Sequence, residues 1–138
     1  MREILFRGKQ ADNSEWIVGS LLQDDDGKTY IVGYEHRGGI DGMIDAELTS
    51  WAVIPETVGQ YTGLLDKNGT KIFEGDIVDI SREEERGVIK WDEDTARFII
   101  LSDNISADFD NYWGKDLEVI GNIYDNQDLC DDIMRGGI

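Results

Sequence analysis

The chain has 138 residues, with 40% hydrophobic and 31% charged side chains and a formal net charge of −17. This length suits one domain, or two small subdomains that share a core. An acidic excess of this size repels phosphate backbones, so we expect no direct binding of DNA or RNA. No apolar run approaches the roughly 20 residues that a membrane-spanning helix requires, so we expect no membrane association.

The only cysteine is Cys130, which excludes an intrachain disulfide and disfavours a cysteine-based zinc site. The stretch Met1–Phe6 has one basic residue followed by too few apolar residues for the core of a signal peptide. These features together lead us to expect a cytoplasmic protein.

Short apolar runs bounded by glycine, aspartate and asparagine predict a mainly β protein. The first of these runs predicts a strand over residues 2–7. Trp16–Leu22 and Thr29–Gly33 then predict a hairpin, because the acidic turn Asp24–Gly27 ends on glycine between two apolar arms.

The stretch Glu35–Leu48 contains three glycines and no clean period. We expect a long loop here that closes with a helical turn, and the sequence does not define its role. A loop of this length in a compact domain is either functional or mobile. Trp51–Ile54 then predicts a short strand, which Pro55 ends.

Two glycine-centred corners follow within a few residues of each other. Asp66–Gly69 has the composition of a hairpin turn, in which Asp66 caps the turn while Asn68 and Gly69 accept positive φ. Glu74, Gly75 and Asp76 form a second corner that redirects the chain. We interpret these six residues as a structural turn signature: Asp66, Asn68, Gly69, Glu74, Gly75 and Asp76.

The remaining apolar runs predict a compact meander of short strands over Ile77–Ile80, Val88–Trp91, Arg97–Leu101 and Glu118–Tyr124. Short curved strands entered through a Gly-Asp-Ile-Val sequence are typical of a small SH3-like barrel. Leu129, Ile133 and Met134 predict one short C-terminal helix. The expected organisation is therefore a β-rich N-terminal subdomain over 1–60 and an SH3-like barrel subdomain with a C-terminal helix over 61–138.

Few residues are candidates for chemistry. His36 is the only histidine, and the acidic turns Asp24–Asp26 and Asp92–Asp94 lack the ligand spacing of a calcium loop. Glu74 and Asp76 are suited to a turn, where carboxylates usually accept hydrogen bonds from nearby backbone N–H groups. Phosphate-loop, dinucleotide-binding, zinc-protease and serine-hydrolase motifs are absent from the sequence. We expect no catalytic residue, no metal site and no cofactor.

The four tryptophans divide into two groups. Trp16, Trp51 and Trp91 fall in apolar runs, which predicts core packing. Trp113 follows Tyr112 in a polar stretch, which predicts an exposed contact with a neighbouring subunit or a partner protein; the alternative is that Trp113 folds back to cap the open end of the barrel. Tyr112 and Trp113 are therefore the predicted binding residues.

Several of these segments together resemble the YopX family, small proteins of phages and prophages, mostly of Gram-positive bacteria. The segments that resemble its signature are Val58–Leu64, Asp66–Gly69 and Glu74–Val78, with Met1–Ile4 and Phe6–Arg7 at the start and Glu118–Asn126 at the end. The resemblance implies a β-rich fold and a phage-encoded origin in a bacterial host. It implies no activity, because the family has no established biochemical function.

We therefore expect a non-enzymatic phage or prophage accessory protein that acts through protein–protein contacts. Its partners would be further copies of the chain and an unidentified host or phage protein. One alternative is an acidic DNA mimic that occupies the DNA site of a host enzyme. A second alternative is a small-ligand binder or enzyme that brings Glu74, Asp76 and His36 into one cleft.

Overall fold

A computed structural model describes residues 2–38, 44–81, 85–102, 106–108 and 115–134, with the backbone alone described for 35–38, 44–46 and 106–108. Packing contacts divide these residues into two compact units, and the boundary falls between Gln60 and Tyr61. The predicted mainly β class with one short C-terminal helix is confirmed. Among the described residues, no helix is long and apolar enough to cross a membrane.

The first unit is an antiparallel sheet in the order β4-β3-β2-β1, and the first two residues of β5 pair with β1. Its elements are β1 (Phe6–Lys9), β2 (Trp16–Gln23), β3 (Thr29–Gly38), β4 (Ile44–Ala52), a 3-10 helix (Pro55–Thr57) and the start of β5 (Gly59–Leu65).

The predicted hairpin at the start of this unit is confirmed, since β2 pairs with β3. Asp24 holds the turn through Oδ1, which accepts hydrogen bonds from the backbone N–H groups of Asp26 and Lys28 at 3.0 and 2.9 Å. Gly27 has φ +82°. The acidic run is therefore turn structure, as its composition indicated.

The predicted loop over Glu35–Leu48 is wrong for most of its length. β3 continues to Gly38 and β4 begins at Ile44, with Tyr34 paired to Leu48, and no helical turn ends the segment. β3 and β4 extend into this segment because they pair with each other. Each strand satisfies its backbone groups with the other, and that partnership is not visible in a stretch of mixed glycines and charges. Residues 39–43 lie outside the described residues.

Glycines let the first unit pack closely around Ile31, which is fully buried. A Cβ on Gly19 would lie 2.4 Å from the carbonyl oxygen of Val32, and a Cβ on Gly8 would lie 3.0 Å from Val53. The end of β4 also returns to β1, since Ile54 donates to the Lys9 carbonyl at 2.9 Å. Ile31 is thereby closed off from solvent, whereas Val18, Leu22, Tyr34 and Leu48 on the opposite face are exposed.

The second unit is built on a five-stranded antiparallel sheet in the order β10-β9-β8-β7-β11. Its elements are the remainder of β5, β6 (Lys71–Phe73), β7 (Asp76–Ile80), β8 (Glu85–Asp92), β9 (Arg97–Leu101), β10 (Ser106–Asp108), β11 (Leu117–Asn122) and helix α1 (Gln127–Met134). β10 and β11 are the two edges of this sheet and do not pair with each other in the described residues. The predicted SH3-like barrel is therefore not closed, because closure requires the edge strands to pair.

Strand β7 is buried on both faces, which places it at the centre of the second unit. Val78 and Ile80 point into one apolar cluster, and Ile77 points into another cluster with Val88 and Ile133. Alternate residues of a strand face opposite sides, so a run of buried residues needs a cover on each side. Ile133 belongs to α1, and the predicted C-terminal helix is thus confirmed as the cover of one face.

Candidate interaction surface

The Asp66 carboxylate organises the first predicted corner. Its Oδ1 accepts hydrogen bonds from the backbone N–H groups of Asn68 and Thr70, both at 2.9 Å. Gly69 has φ +83°, as predicted, whereas Asn68 is not among the described residues with positive φ. β5 and β6 pair across this turn, with Leu65 opposite Lys71. The hairpin assignment is confirmed, and only Gly69 requires the left-handed region.

The same carboxylate also fastens the corner to β11. Its Oδ2 accepts a hydrogen bond from the N–H of Val119 at 3.0 Å, and the N–H of Lys67 donates to the carbonyl oxygen of Leu117 at 2.9 Å. The Lys67 ammonium lies 3.9 Å from a carboxylate oxygen of Glu118. The buried Asp66 side chain thus joins the first corner to β11, about 50 positions further along the chain.

Three hydrogen bonds to a carboxylate favour its ionised form. Burial raises the pKa of Asp66. The N–H groups of Val119, Thr70 and Asn68, together with the Lys67 charge, lower it by more, so the pKa lies below its usual value. Asp66 is therefore a charged structural anchor and not a proton-transfer group.

The second corner docks on the other end of the same C-terminal segment. The Gly75 carbonyl accepts a hydrogen bond from Ile123 at 2.9 Å, and the Gly75 N–H donates to Ile89 at 2.8 Å. A Cβ on Gly75 would lie 3.3 Å from the ring of Tyr124, and φ is +92° there. Asp76 Oδ2 accepts a hydrogen bond from the N–H of Phe73 at 2.8 Å.

The signature residues near the end of the chain are fitted to each other in the same manner. A Cβ on Gly121 would lie 2.5 Å from Oδ1 of Asn126, and that oxygen accepts a hydrogen bond from the N–H of Asn122. The Asn122 side chain in turn accepts from the N–H groups of Tyr124 and Asp125. The signature residues therefore form two corners and the C-terminal segment, residues 117–126, that both corners contact.

These contacts bear on the predicted enzymatic alternative. Asp76 is 1% exposed, and its carboxylate accepts a hydrogen bond from the backbone N–H of Phe73. A substrate could therefore not readily contact this side chain. His36 lies in β3, and its side chain is outside the described residues. Within the described part of the chain, no group of three or more histidine, cysteine, aspartate or glutamate side chains is placed to hold a metal ion.

A different surface has the character of a binding site, and sequence reasoning missed it. Alternate residues of β2, β3 and β4 point outward from the first unit, and the strand registers place them in three rows. The rows of this outer face are Ser20, Val32 and Ser50; Leu22, Tyr30 and Ala52; and Tyr34 and Leu48, with Val18 two residues before Ser20 on the same side of β2.

None of the nine outer-face positions carries a charge, and several are apolar and exposed. The exposed fractions are 48% for Val18, 51% for Leu22, 65% for Tyr34 and 63% for Leu48. On the β1 side the uncharged surface ends at two basic residues, because Arg7 is paired with Val18 and Lys9 with Trp16, and the Arg7 guanidinium lies 4.8 Å from the Trp16 ring. Contiguous exposed apolar surface is uncommon on soluble proteins and often marks a binding site.

A shallow cavity of about 290 Å³ adjoins one end of the outer face. Tyr30 and Ala52 belong to both the face and the cavity wall, which is completed by Asp26, Gly27, Lys28, Thr29, Val53 and Pro55. Such a recess beside a flat apolar surface can take a single anchoring side chain of a partner.

The predicted aromatic positions have mixed outcomes. Trp16 and Trp51 are half-buried. The predicted core position of Trp91 is wrong, because Trp91 is 43% exposed and packs edge-on against Phe98 at a centroid distance of 5.0 Å. Cross-strand pairing of these two rings at the rim of the sheet accounts for this placement. Tyr112 and Trp113 lie outside the described residues, so their predicted interface role stays a prediction.

The sequence did contain a signal for the outer face. Apolar or small uncharged residues alternate along Val18–Leu22, Tyr30–Tyr34 and Leu48–Ala52. Their meaning depends on the registers that bring the three strands side by side, and the segment containing Leu48 was predicted as a loop. Without that strand the face is only a hairpin.

Comparisons with known proteins agree with this architecture. The family model described as YopX protein matches residues 5–131. Among solved structures, the crystal structure of protein EF1440 from Enterococcus faecalis is similar, with a TM-score of 0.59 and 24% sequence identity. It covers 94% of this chain and 99% of that chain, and at this identity the likeness shows the fold alone. A search of the curated proteins finds no match.

The matched residues include both corners and the C-terminal segment, residues 117–126, that the corners contact. The family match covers most of the chain, which confirms the resemblance noted from the sequence. The chain belongs to the YopX family.

Proposed function

We propose that this YopX-family chain is a phage or prophage accessory protein that works in the bacterial cytoplasm by binding protein. The observation that carries this proposal is the uncharged, apolar outer face of the first unit. Charged residues make up 31% of the chain, so nine positions would average about three charged side chains (9 × 0.31). The outer face has none.

The composition of the face is that of a contact surface. Protein interfaces are depleted in charged residues at their centre and enriched in aromatic residues such as tyrosine. Tyr34 and Leu48 are directly paired across β3 and β4 and leave most of their area in solvent. Keeping them exposed has a cost in solubility, which binding would offset.

The proposal is tested by capture from phage-infected host cells with immobilised wild-type chain. Leu48→Glu places a carboxylate within the apolar surface, beside Tyr34 on the edge strand β4, so we expect captured proteins to be lost. Leu65→Glu is the matched control, because Leu65 is 48% exposed on the second unit and is not part of the outer face. Circular dichroism checks that both variants stay folded.

Equal capture by wild type and Leu48→Glu would contradict a role for the outer face. If the retained protein is a DNA-binding enzyme that DNA displaces, the acidic surface acts as a DNA mimic. Trp113→Ala in the same assay tests the predicted contact at Tyr112 and Trp113 separately.

A further inference from the structure

We infer that the outer face of the first unit takes a second copy of this chain, face to face, in a weak symmetric dimer. This inference rests on the proposed function, since it assumes that the outer face binds protein. It goes further by naming the occupant. The observations that carry it are the pattern of the three rows and the distribution of charge.

The outer face matches a copy of itself. Its central row is Ser20, Val32 and Ser50, and the rows on both sides are apolar or aromatic. Turning a second copy by 180° about an axis parallel to the strands places Ser20 opposite Ser50 and Val32 opposite Val32. An axis across the strands places each serine opposite its own counterpart and again leaves Val32 opposite Val32.

Either twofold arrangement therefore pairs hydroxyl with hydroxyl and apolar side chain with apolar side chain. Interfaces with twofold symmetry require such self-complementarity, because the same patch is used by both subunits. A face whose polar residues lay in an outer row would satisfy at most one of these two axes.

Charge restricts where two copies can meet. Each copy carries a net charge of −17, so contact between most other surfaces brings carboxylates together. Like charges at close range oppose association, and salt screens them only beyond a Debye length of about 8 Å at physiological ionic strength. At the nine neighbouring positions of the outer face, two copies can touch without bringing carboxylates together.

The size of the face limits the area that the association can bury. Three strands about 4.8 Å apart, with five residues each at about 3.3 Å, give a footprint of roughly 14 by 17 Å, or about 240 Å². Stable complexes bury about 800 Å² per partner. Because the face is much smaller than this, we expect a dimer that forms only at high protein concentration, within the range up to about 1 mM.

Sedimentation velocity of the full chain from about 10 μM to 1 mM, in buffer of physiological ionic strength, measures this association. The expected result is a concentration-dependent shift from monomer toward dimer for wild type and Leu65→Glu, and monomer throughout for Leu48→Glu. A short bis-maleimide crosslinker then tests the geometry in a Cys130→Ser background. Stacked sheets lie about 10 Å apart, too far for a disulfide.

Val32→Cys lies opposite itself in both arrangements, so the crosslinker should join two chains at this position. Leu65→Cys, at the control position, should give no crosslinked dimer above the level of random collision. A wild-type chain that stays monomeric at 1 mM, or a dimer that Leu48→Glu leaves intact, overturns the inference.

The two failures are distinguishable. If the chain is monomeric but captures another protein through the outer face, the proposed function stands and the occupant is that other protein. If neither self-association nor capture depends on Leu48, both the inference and the proposed function fail.

Discussion

At the scale of single residues, two positions bind distant parts of the chain together. Asp66 accepts three backbone N–H groups, one of them from Val119 on β11. Gly75 occupies a left-handed conformation against the ring of Tyr124. Both residues belong to the family signature, and both act through geometry that other residue types do not reproduce.

Asp66→Ala should destabilise the chain by about 2 kcal/mol or more, because it leaves several backbone N–H groups without an acceptor. Asp25→Ala is the control, since Asp25 is exposed on an acidic turn, and it should change stability by less than about 0.5 kcal/mol. Urea unfolding followed by circular dichroism measures both. Similar losses in the two variants would show that Asp66 is not an anchor.

The stabilisation by Asp66 should also depend on pH. Its pKa in the folded state is lowered, so the stabilisation is fully present above the unfolded pKa of about 3.9. It is lost as the pH falls through the folded pKa. The difference in unfolding free energy between wild type and Asp66→Asn should therefore shrink from pH 7 to pH 3. A difference that stays constant over this range contradicts the lowered pKa.

Substitutions at two glycines distinguish the cost of a strained backbone from the cost of a steric clash with a neighbouring side chain. Gly69 and Gly75 both have positive φ, but a Cβ on Gly69 meets nothing within 4 Å, whereas on Gly75 it meets Tyr124. Gly69→Ala should cost about 1 kcal/mol from backbone conformation alone. Gly75→Ala should cost measurably more. Thermal unfolding of both variants is the measurement, and equal losses would mean that Tyr124 moves aside freely.

At the scale of elements, the second unit depends on cover for both faces of β7. The cluster of Ile77 and Val88 lies under Ile133 of α1, and Leu129 packs at its margin. An eight-residue helix is not stable in water by itself. Its position is therefore maintained by burial of this apolar side and not by helix propensity.

Ile133→Ala should destabilise the second unit by about 2–4 kcal/mol, the usual range when a buried isoleucine is truncated. Met134→Ala is the matched control on the same helix, because Met134 is exposed, and it should cost less than about 1 kcal/mol. Chemical denaturation of both variants provides the comparison. A small loss for Ile133→Ala would mean that the helix is not needed as a cover.

At the scale of the whole molecule, charge is the dominant feature. The chain has 30 acidic and 13 basic residues, so repulsion among carboxylates opposes the compact state. The nine outer-face positions carry none of these charges. Repulsion among carboxylates therefore lowers the stability of the folded chain and also opposes contact between two copies of it.

Thermal stability should rise when salt is increased from about 10 mM to 150 mM, because the Debye length shrinks from about 30 to 8 Å. The measurement is the midpoint of thermal unfolding at about 10 μM protein, where the proposed weak dimer should not form. The Leu48→Glu variant should show the same rise, which separates repulsion within one chain from dimer formation. A fall in the midpoint with added salt would mean that attractive ion pairs dominate.

The sequence by itself determined the β class, the turns and the family. Gly27, Gly69 and Gly75 have positive φ at the corners where glycine composition predicted turns. These features are local, since a turn is decided by the few residues that form it. The short helix was predictable for the same reason, from apolar residues four positions apart.

Only the tertiary structure decided what these parts form together. The strand containing Leu48 exists because it pairs with β3, Trp91 is exposed because of its place in the sheet, and the edges of the second sheet do not meet. Each outcome depends on how strands pair and where they lie in a sheet, which local composition does not encode. The outer face is the clearest case. Its nine residues come from three strands, and only the registers between those strands make one uncharged surface of them.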